Sequence, residues 1–372
     1  MEIERLLKKS LEMKASDLHF IAGLPPALRI AGELATVNQE PVISQEDAKR
    51  ILYEFMSESQ IKTFEKNLSI DMAIYFPHLG NFRVNVFHQL HGYAAVFRIV
   101  VEKIPTFEEL NVPPIMKRLL MMPHGLILVT GPTGSGKSST LAAMIDFINT
   151  TKSCHIITIE DPIEYIHTSK KATVNQLQIG RDTQSFAAAL RSSLRQDPDV
   201  IMLGEMRDLE SIRLALTAAE TGHLVLSTLH AGTASITISR IVDIFPTAER
   251  NRVRNILSET LQGVLCQTLV KKVSGGRTAA FEVMLATPAV RHLISQGMTT
   301  HLESTIQTGG DLGMFTLEHS LKELIAKGII SKSMGASTLA ARDSMKFAES
   351  VKKDGPMAAG SMARIPPKEM PT

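Results

Sequence analysis

Ile3, Leu6, Leu7 and Leu11 recur three and four residues apart, the spacing of one helical face, so the chain opens on an amphipathic helix. The period then shortens to two. SDLHF, ALRIAGEL (turning at Ala31-Gly32), IDMAIYF, NFRVNVFHQ and AAVFRIVV alternate apolar with polar positions and predict strands. QEDAKRILYEF and SQIKTFEKN between them predict helices, the second opening at Ser57 or Ser59. Residues 1–100 therefore predict a small α+β domain built on an antiparallel sheet. EKIPTFEELNVPP, with Pro105, Pro113 and Pro114, reads as a linker over 101–114.

From about Ile115 the pattern changes. The apolar runs GLILVT, HIITIE, DVIMLGE and HLVLSTLH alternate with the helical stretches SFAAALRSSLR and LESIRLALTAAE, the latter stopped by Gly222. Buried strands alternating with helices predict an α/β nucleotide-binding core on a parallel sheet, over 115–285. After about Pro246 the pattern reads as helical, through NRVRNILSETLQGVLCQTLVKK, then AVRHLISQ and LEHSLKELIAKG. A helical C-terminal region is expected over 286–345. The stretch 346–372 ends in DGPMAAGSMARIPPKEMPT, with several Pro and Gly and little to bury, and is expected to be disordered. No internal repeat is visible.

Composition narrows the classes. The chain has 372 residues, 44% hydrophobic and 21% charged, with a net charge of +2, which fits two soluble domains and gives no electrostatic case for nucleic acid. Its 5% aromatics and lack of Trp also argue against a stacking channel for a single strand. No apolar run approaches a membrane span. Cys154 and Cys266 are isolated in sequence, so neither a zinc site nor a disulfide framework is expected. A reduced, cytoplasmic setting follows.

Gly131 to Thr140, GPTGSGKSST, carries the chemistry. Gly131, Gly136, Lys137 and Ser138 fit the pattern of a phosphate-binding loop, in which Pro132, Thr133, Gly134, Ser135 and Ser139 complete the turn. Its glycines let backbone N–H groups face an anion, the lysine reaches the terminal phosphates, and the Ser138 hydroxyl faces Mg²⁺. An apolar strand precedes the loop; Leu141, Met144, Ile145 and Ile148 follow at helical spacing, which places it at a helix N-terminus.

Such a loop also needs a metal ligand and a group that orients the attacking water. Carboxylates at the ends of neighbouring strands are the candidates. DVIMLGEMRD has Gly204 where an Asp commonly stands, which leaves Glu205 for the metal. HIITIEDPIEY supplies Glu160, Asp161 and, after Pro162, Glu164. That cluster is expected to supply the base, and Glu164 is favoured for a functional role. Glu160 and Asp161 stay open between catalysis and a solvated turn or helix cap. His223 and His230 flank LVLSTL; His230 ends that strand where a γ-phosphate sensor would sit, and His223 stays open between a site role and a hydrogen-bonded strand end.

These blocks, in this order, resemble the secretion-type ATPases of bacterial type II secretion and type IV pilus systems. LRQDPDVIMLGEMRD matches that family's signature, and ASDLHF, GLPPALRIAGEL, FRVNVF, ITIEDPIEY and GEMRDLESIRLALTAAETGHLVLSTLH resemble its twitching-motility retraction branch. The resemblance covers roughly residues 1 to 335. It implies a PAS-like α+β N-terminal domain ahead of a RecA-like P-loop core with a helical C-terminal part. It further implies ATP and Mg²⁺, and a homohexamer acting on an inner-membrane pilus platform protein at the cytoplasmic face, with a paralogous retraction ATPase as a further candidate partner. Lys137 and Ser138 are assigned to phosphate and Mg²⁺, Glu164 to the base, Glu205 to the metal and His230 to the γ-phosphate. Arg83 in FRVNVF and Arg98 in VFRIV are implied to reach a neighbour's nucleotide; read alone, both are cross-strand charges.

Two departures stand out. The family's AIRNLIRE motif appears as Ala289-Val290-Arg291-His292-Leu293-Ile294-Ser295-Gln296, and Ala-Gly follows His230 where two threonines are usual. Rival readings are an auxiliary retraction ATPase, a pilus-assembly or secretion ATPase, and a nucleic-acid translocase on the same core. The assembly enzymes usually carry a long extra N-terminal domain and a four-cysteine zinc insertion, neither of which this sequence displays.

Overall fold

The computed structural model describes residues 2–30, 32–37, 40–99 and 103–353. Backbone contacts divide the chain into two units, Met1–Gly125 with Ser138–Ser227, and Leu126–Lys137 with Thr228–Thr372.

The first unit begins with α1 (Glu2–Glu12), β1 (Asp17–Ile21), β2 (Ala27–Ile30), β3 (Glu33–Thr36), α2 (Gln45–Glu54), α3 (Glu58–Asn67), β4 (Ser69–Phe76), β5 (Gly80–Gln89) and β6 (Gly92–Ile99). The six strands form one antiparallel sheet in the order β3-β2-β1-β6-β5-β4. Alternation decides its faces: Phe82, Val84 and Val86 of β5 are buried while the residues between them are not. Ile3, Leu6 and Leu7 of α1 close the same core, whose buried members run from Ile3 to Phe97. Ser57, not Ser59, opens α3: its hydroxyl accepts from Gln60 N–H while the Gln60 side chain accepts from Ser57 N–H.

After α4 (Phe107–Leu110) and α5 (Ile115–Leu120) come β7 (Gly125–Thr130), α6 (Lys137–Thr151), β8 (His155–Glu160), β9 (Thr173–Gln178), α7 (Phe186–Ser193), β10 (Val200–Leu203), α8 (Leu209–Glu220) and β11 (Leu224–Leu229). Within the first unit the strands run parallel in the order β11-β10-β8-β9. The sequence pattern did not anticipate β9, because TVNQLQ is mostly polar on a part-exposed edge, with Asn175 and Gln176 breaking the alternation, and lacks the apolar run of its neighbours.

The second unit holds β7, α9 (Ala234–Asp243), α10 (Arg250–Thr260), β12 (Leu261–Lys271), β13 (Arg277–Leu285), α11 (Pro288–Ser295), α12 (Leu302–Thr308), α13 (Leu317–Ala326) and α14 (Lys332–Lys353). β12 runs parallel to β7 and antiparallel to β13. This corrects the helical reading of NRVRNILSETLQGVLCQTLVKK, which holds only to Thr260. Val264, Leu265 and Cys266 are buried in succession with β7 on one side and β13 on the other. A strand covered on both faces has no polar stripe, so its pattern resembles that of a buried helix. α14 is helical through Lys353, into the stretch expected to be disordered; the remainder of that stretch, like Val101 and Glu102 of the expected linker, lies outside the described residues.

Candidate nucleotide site

The apolar strand β7 is buried along its whole length and delivers Gly131 at its carboxyl end. There the backbone turns through Gly131, Gly134 and Gly136, at φ of 150°, 75° and 86°, a region that side-chain-bearing residues seldom enter. A Cβ at Gly131 would sit 2.2 Å from Gln267 O, and one at Gly136 would sit 2.9 Å from Gln267 Nε2. Gln267 of β12 braces the turn, its Nε2 donating to Ser135 O at 2.7 Å. The Ser135 hydroxyl is buried without a hydrogen-bond partner among the described residues. Pro132 and Thr133 carry the turn between the first two glycines.

Lys137 begins α6, and its Nζ donates to Gly131 O and Pro132 O, each at 3.0 Å, and lies 3.4 Å from His230 Nδ1. The second unit thus brings the loop lysine and the expected sensor together. His230 follows β11; its carbonyl accepts from Arg240 Nη1, and Ala234 N–H, at the first turn of α9, donates to Glu282 Oε1 at 2.9 Å. His223 is placed otherwise. It precedes β11, at the opposite end of the strand from His230, and its Nδ1 lies 3.0 Å from Ala218 O at the end of α8. At that amino end of β11 His223 makes a helix-end contact, whereas ligands of parallel sheets gather at the carboxyl ends of the strands.

The first unit holds the other candidates. Ser138 and Ser139 lie in the first turn of α6, and Ser139 Oγ is 2.7 Å from the Tyr165 hydroxyl. Glu160 ends β8 with 8% exposure; its Oε1 accepts from Thr158 Oγ1 at 2.7 Å and from Gln176 Nε2 at 3.2 Å. Burial pushes the Glu160 carboxyl up from 4.5 to about 6, opposed by these bonds and by the backbone N–H of Glu164, while the Glu164 charge adds to the rise. Glu164 is exposed and adjoins Tyr165. Glu160 is therefore the loop's buried anchor and Glu164 the carboxylate available to water.

Two glutamines missed by the sequence reading hold that loop. Gln176 Nε2 also donates to Tyr165 O at 2.9 Å, its Oε1 accepts from His167 N–H at 2.8 Å, and Gln178 Oε1 accepts from Ile163 N–H at 3.3 Å. Their i, i+2 spacing on one strand face was the available signal.

After β10, Gly204 N–H donates to Ile159 O at 2.8 Å. Glu205 follows, 16% exposed at its side chain, and accepts from Arg207 Nε at 2.9 Å. Mg²⁺ commonly takes one or two protein oxygens and completes its octahedron with phosphates and water, so the Ser138 hydroxyl and the Glu205 carboxylate are a donor set that fits it. No cluster of three His, Cys, Asp or Glu able to hold a metal occurs among the described residues.

On the antiparallel sheet, Arg98 stands directly opposite Arg83 and also opposite Asp17, which in turn faces Arg29. Asp17 is buried and its Oδ1 accepts from Arg98 Nε at 2.8 Å, leaving the Arg98 side chain 65% exposed. In the altered motif, Arg291 Nη1 donates to Ser258 O and Glu259 O at the end of α10. No described helix is long and apolar enough to cross a membrane.

Comparison with known proteins places this geometry. The chain is 53% identical over 332 residues to the type IV pilus retractation ATPase PilT of Pseudomonas aeruginosa, covering 89% of this chain and 96% of that one. A twitching motility protein of Neisseria gonorrhoeae is 46% identical over 343 residues, covering 92% and 91%. A crystal structure of the pilus retraction motor PilT with bound ADP superposes with a TM-score of 0.85 at 46% identity, over 89% of this chain and 95% of that one. Residues 1–276 match the family described as type II/IV secretion system protein, and the chain belongs to that family.

Proposed function

We propose that this chain is an ATPase motor that works as a ring of six copies to disassemble and retract type IV pili. The relatives' names supply the retraction and twitching activity. The observation in this chain that carries the reading is the convergence of Lys137 on the loop carbonyls and on His230. The glycine turn presents its amides to the phosphates, Lys137 exchanges its carbonyl contacts for the γ-phosphate, and His230 registers that phosphate at the end of β11. Glu164 accepts a proton from the attacking water, and the Glu160–Gln176 bond holds its loop. Ser138 and Glu205 would hold Mg²⁺, which neutralises charge developing between the β- and γ-phosphates. Arg83 and Arg98 serve a neighbour's nucleotide.

The partner is an inner-membrane pilus platform protein contacted from the cytoplasmic face, where a paralogous retraction ATPase can join. Deleting the gene and scoring surface pili tests the reading. A lost retraction motor leaves cells hyperpiliated and immobile, whereas an assembly motor leaves them bald, and unchanged piliation would refute both.

A further inference from the structure

We infer that Arg342, on the C-terminal helix, is a positioning residue for the loop that carries His230, acting through Glu282. The inference rests on the assignment of His230 to the γ-phosphate.

Arg342 lies on α14 and is only 8% exposed; its Nη2 donates to Glu303 Oε1 at 3.1 Å and forms an ion pair with Glu282 Oε2, 3.1 Å away without hydrogen-bond geometry. Glu282 sits within β13 at 2% exposure. Its second oxygen accepts the Ala234 N–H at 2.9 Å. Ala234 is the first residue of α9, capped by Thr233, and lies four positions beyond His230. One buried carboxylate therefore joins the C-terminal helix to an amide that the first turn of α9 cannot satisfy internally. A negative charge at a helix N-terminus is also favoured by the helix dipole.

The loop needs this support because of its sequence. After His230 come Ala231 and Gly232, which bring no side-chain hydrogen-bonding group. Two contacts hold the loop at its ends, Arg240 on the His230 carbonyl and Glu282 on Ala234. A cavity of about 650 Å³, lined by Pro132, Thr133 and His230 on one side and by Thr338, Ala341 and Arg342 on the other, leaves space for the loop to shift. Without Arg342, a carboxylate as deeply buried as Glu282 loses the cation 3.1 Å from its Oε2, and a buried charge left without its partner is costly. The carboxylate then shifts from its place, its bond to the Ala234 N–H is weakened, and the loop loosens towards the cavity.

The test uses the full-length chain and two readings: steady-state ATP hydrolysis and affinity for a fluorescent ADP analogue. Arg342→Leu should lower kcat by about tenfold to a hundredfold, the range in which misplacement by around an ångström acts, with ADP affinity unchanged. Arg342→Lys should recover most of the loss, since an ammonium can still meet Glu282. Glu282→Gln keeps size and packing and tests the same link should Arg342→Leu not fold. Combined with Arg342→Leu it should cost no more than either change alone, as members of one network do. Unaltered kcat in a folded Arg342→Leu or in Glu282→Gln overturns the inference, and so does a parallel loss of ADP affinity and kcat. His230→Ala in the same assay separates the two levels. If it turns over normally, the sensor assignment fails and the inference with it. If it is slow while Arg342→Leu is not, only the inference fails.

Discussion

The Lys137 ammonium lies 3.4 Å from Nδ1 of His230 while donating to the carbonyls of Gly131 and Pro132. Residues 93 positions apart thus converge on one point, and the lysine's bonds to the two carbonyls are ones a phosphate can replace. Lys137→Ala should abolish ATP binding or turnover, as read by phosphate release and nucleotide affinity. Unchanged values of both would remove the loop from the mechanism.

Glu164→Gln should retain ATP binding and lose about 10²–10⁴-fold in turnover, since the amide keeps its hydrogen bonds but accepts no proton. Glu160→Gln should be far milder. An inactive Glu160→Gln beside a normal Glu164→Gln would exchange the two roles.

Glu160 also predicts a pH effect on stability. Its folded pKa, about 6, is above its ordinary 4.5, so the folded chain holds that proton more tightly than the unfolded one. Its contribution is complete below pH 4.5 and is lost as pH rises through about 6, worth about 2 kcal/mol at most by linkage. Chemical denaturation between pH 4.5 and 6.5 should show the unaltered chain losing stability relative to Glu160→Gln over that window. Parallel curves would contradict the assignment.

Arg83 and Arg98 face each other across β5 and β6, with Asp17 neutralising one of them. Like charges directly opposite on a sheet are unfavourable, and an anion from another copy would relieve them. Mixing Lys137→Ala subunits with subunits carrying both Arg83→Ala and Arg98→Ala should restore turnover at interfaces that pair an intact loop with intact arginines. An arginine supplied in trans contributes about 10³–10⁵-fold in related chemistry, so each unmixed ring should be nearly silent. Mixed rings that form and stay inactive would exclude the arrangement.

The legible parts of this chain were those where local pattern and chemistry coincide. The loop between β7 and α6 needs glycines at positive φ, and few residues substitute for them. β8, β10 and β11 announce themselves as apolar runs because both their faces are covered. Other features depend on contacts distant in sequence. β12 was unreadable because its partners, β7 and β13, supply the pattern it lacks. Gln176 acquires its role only when β9 pairs with β8 and brings its amide to Glu160. His223 and His230 flank the same strand, and only the strand's direction puts one beside the end of α8 and the other beside Lys137.

The antiparallel sheet's core has a temporal consequence. Every buried member lies between Ile3 and Phe97, so all the residues of that core are translated before any part of the phosphate loop. β7 cannot settle so early, because the residue opposite Thr130 on its β12 side is Cys266. The loop that grips nucleotide therefore stays unformed until more than a hundred further residues have emerged. During synthesis, the residues of the antiparallel sheet are therefore complete first and the strand that flanks the phosphate loop comes later.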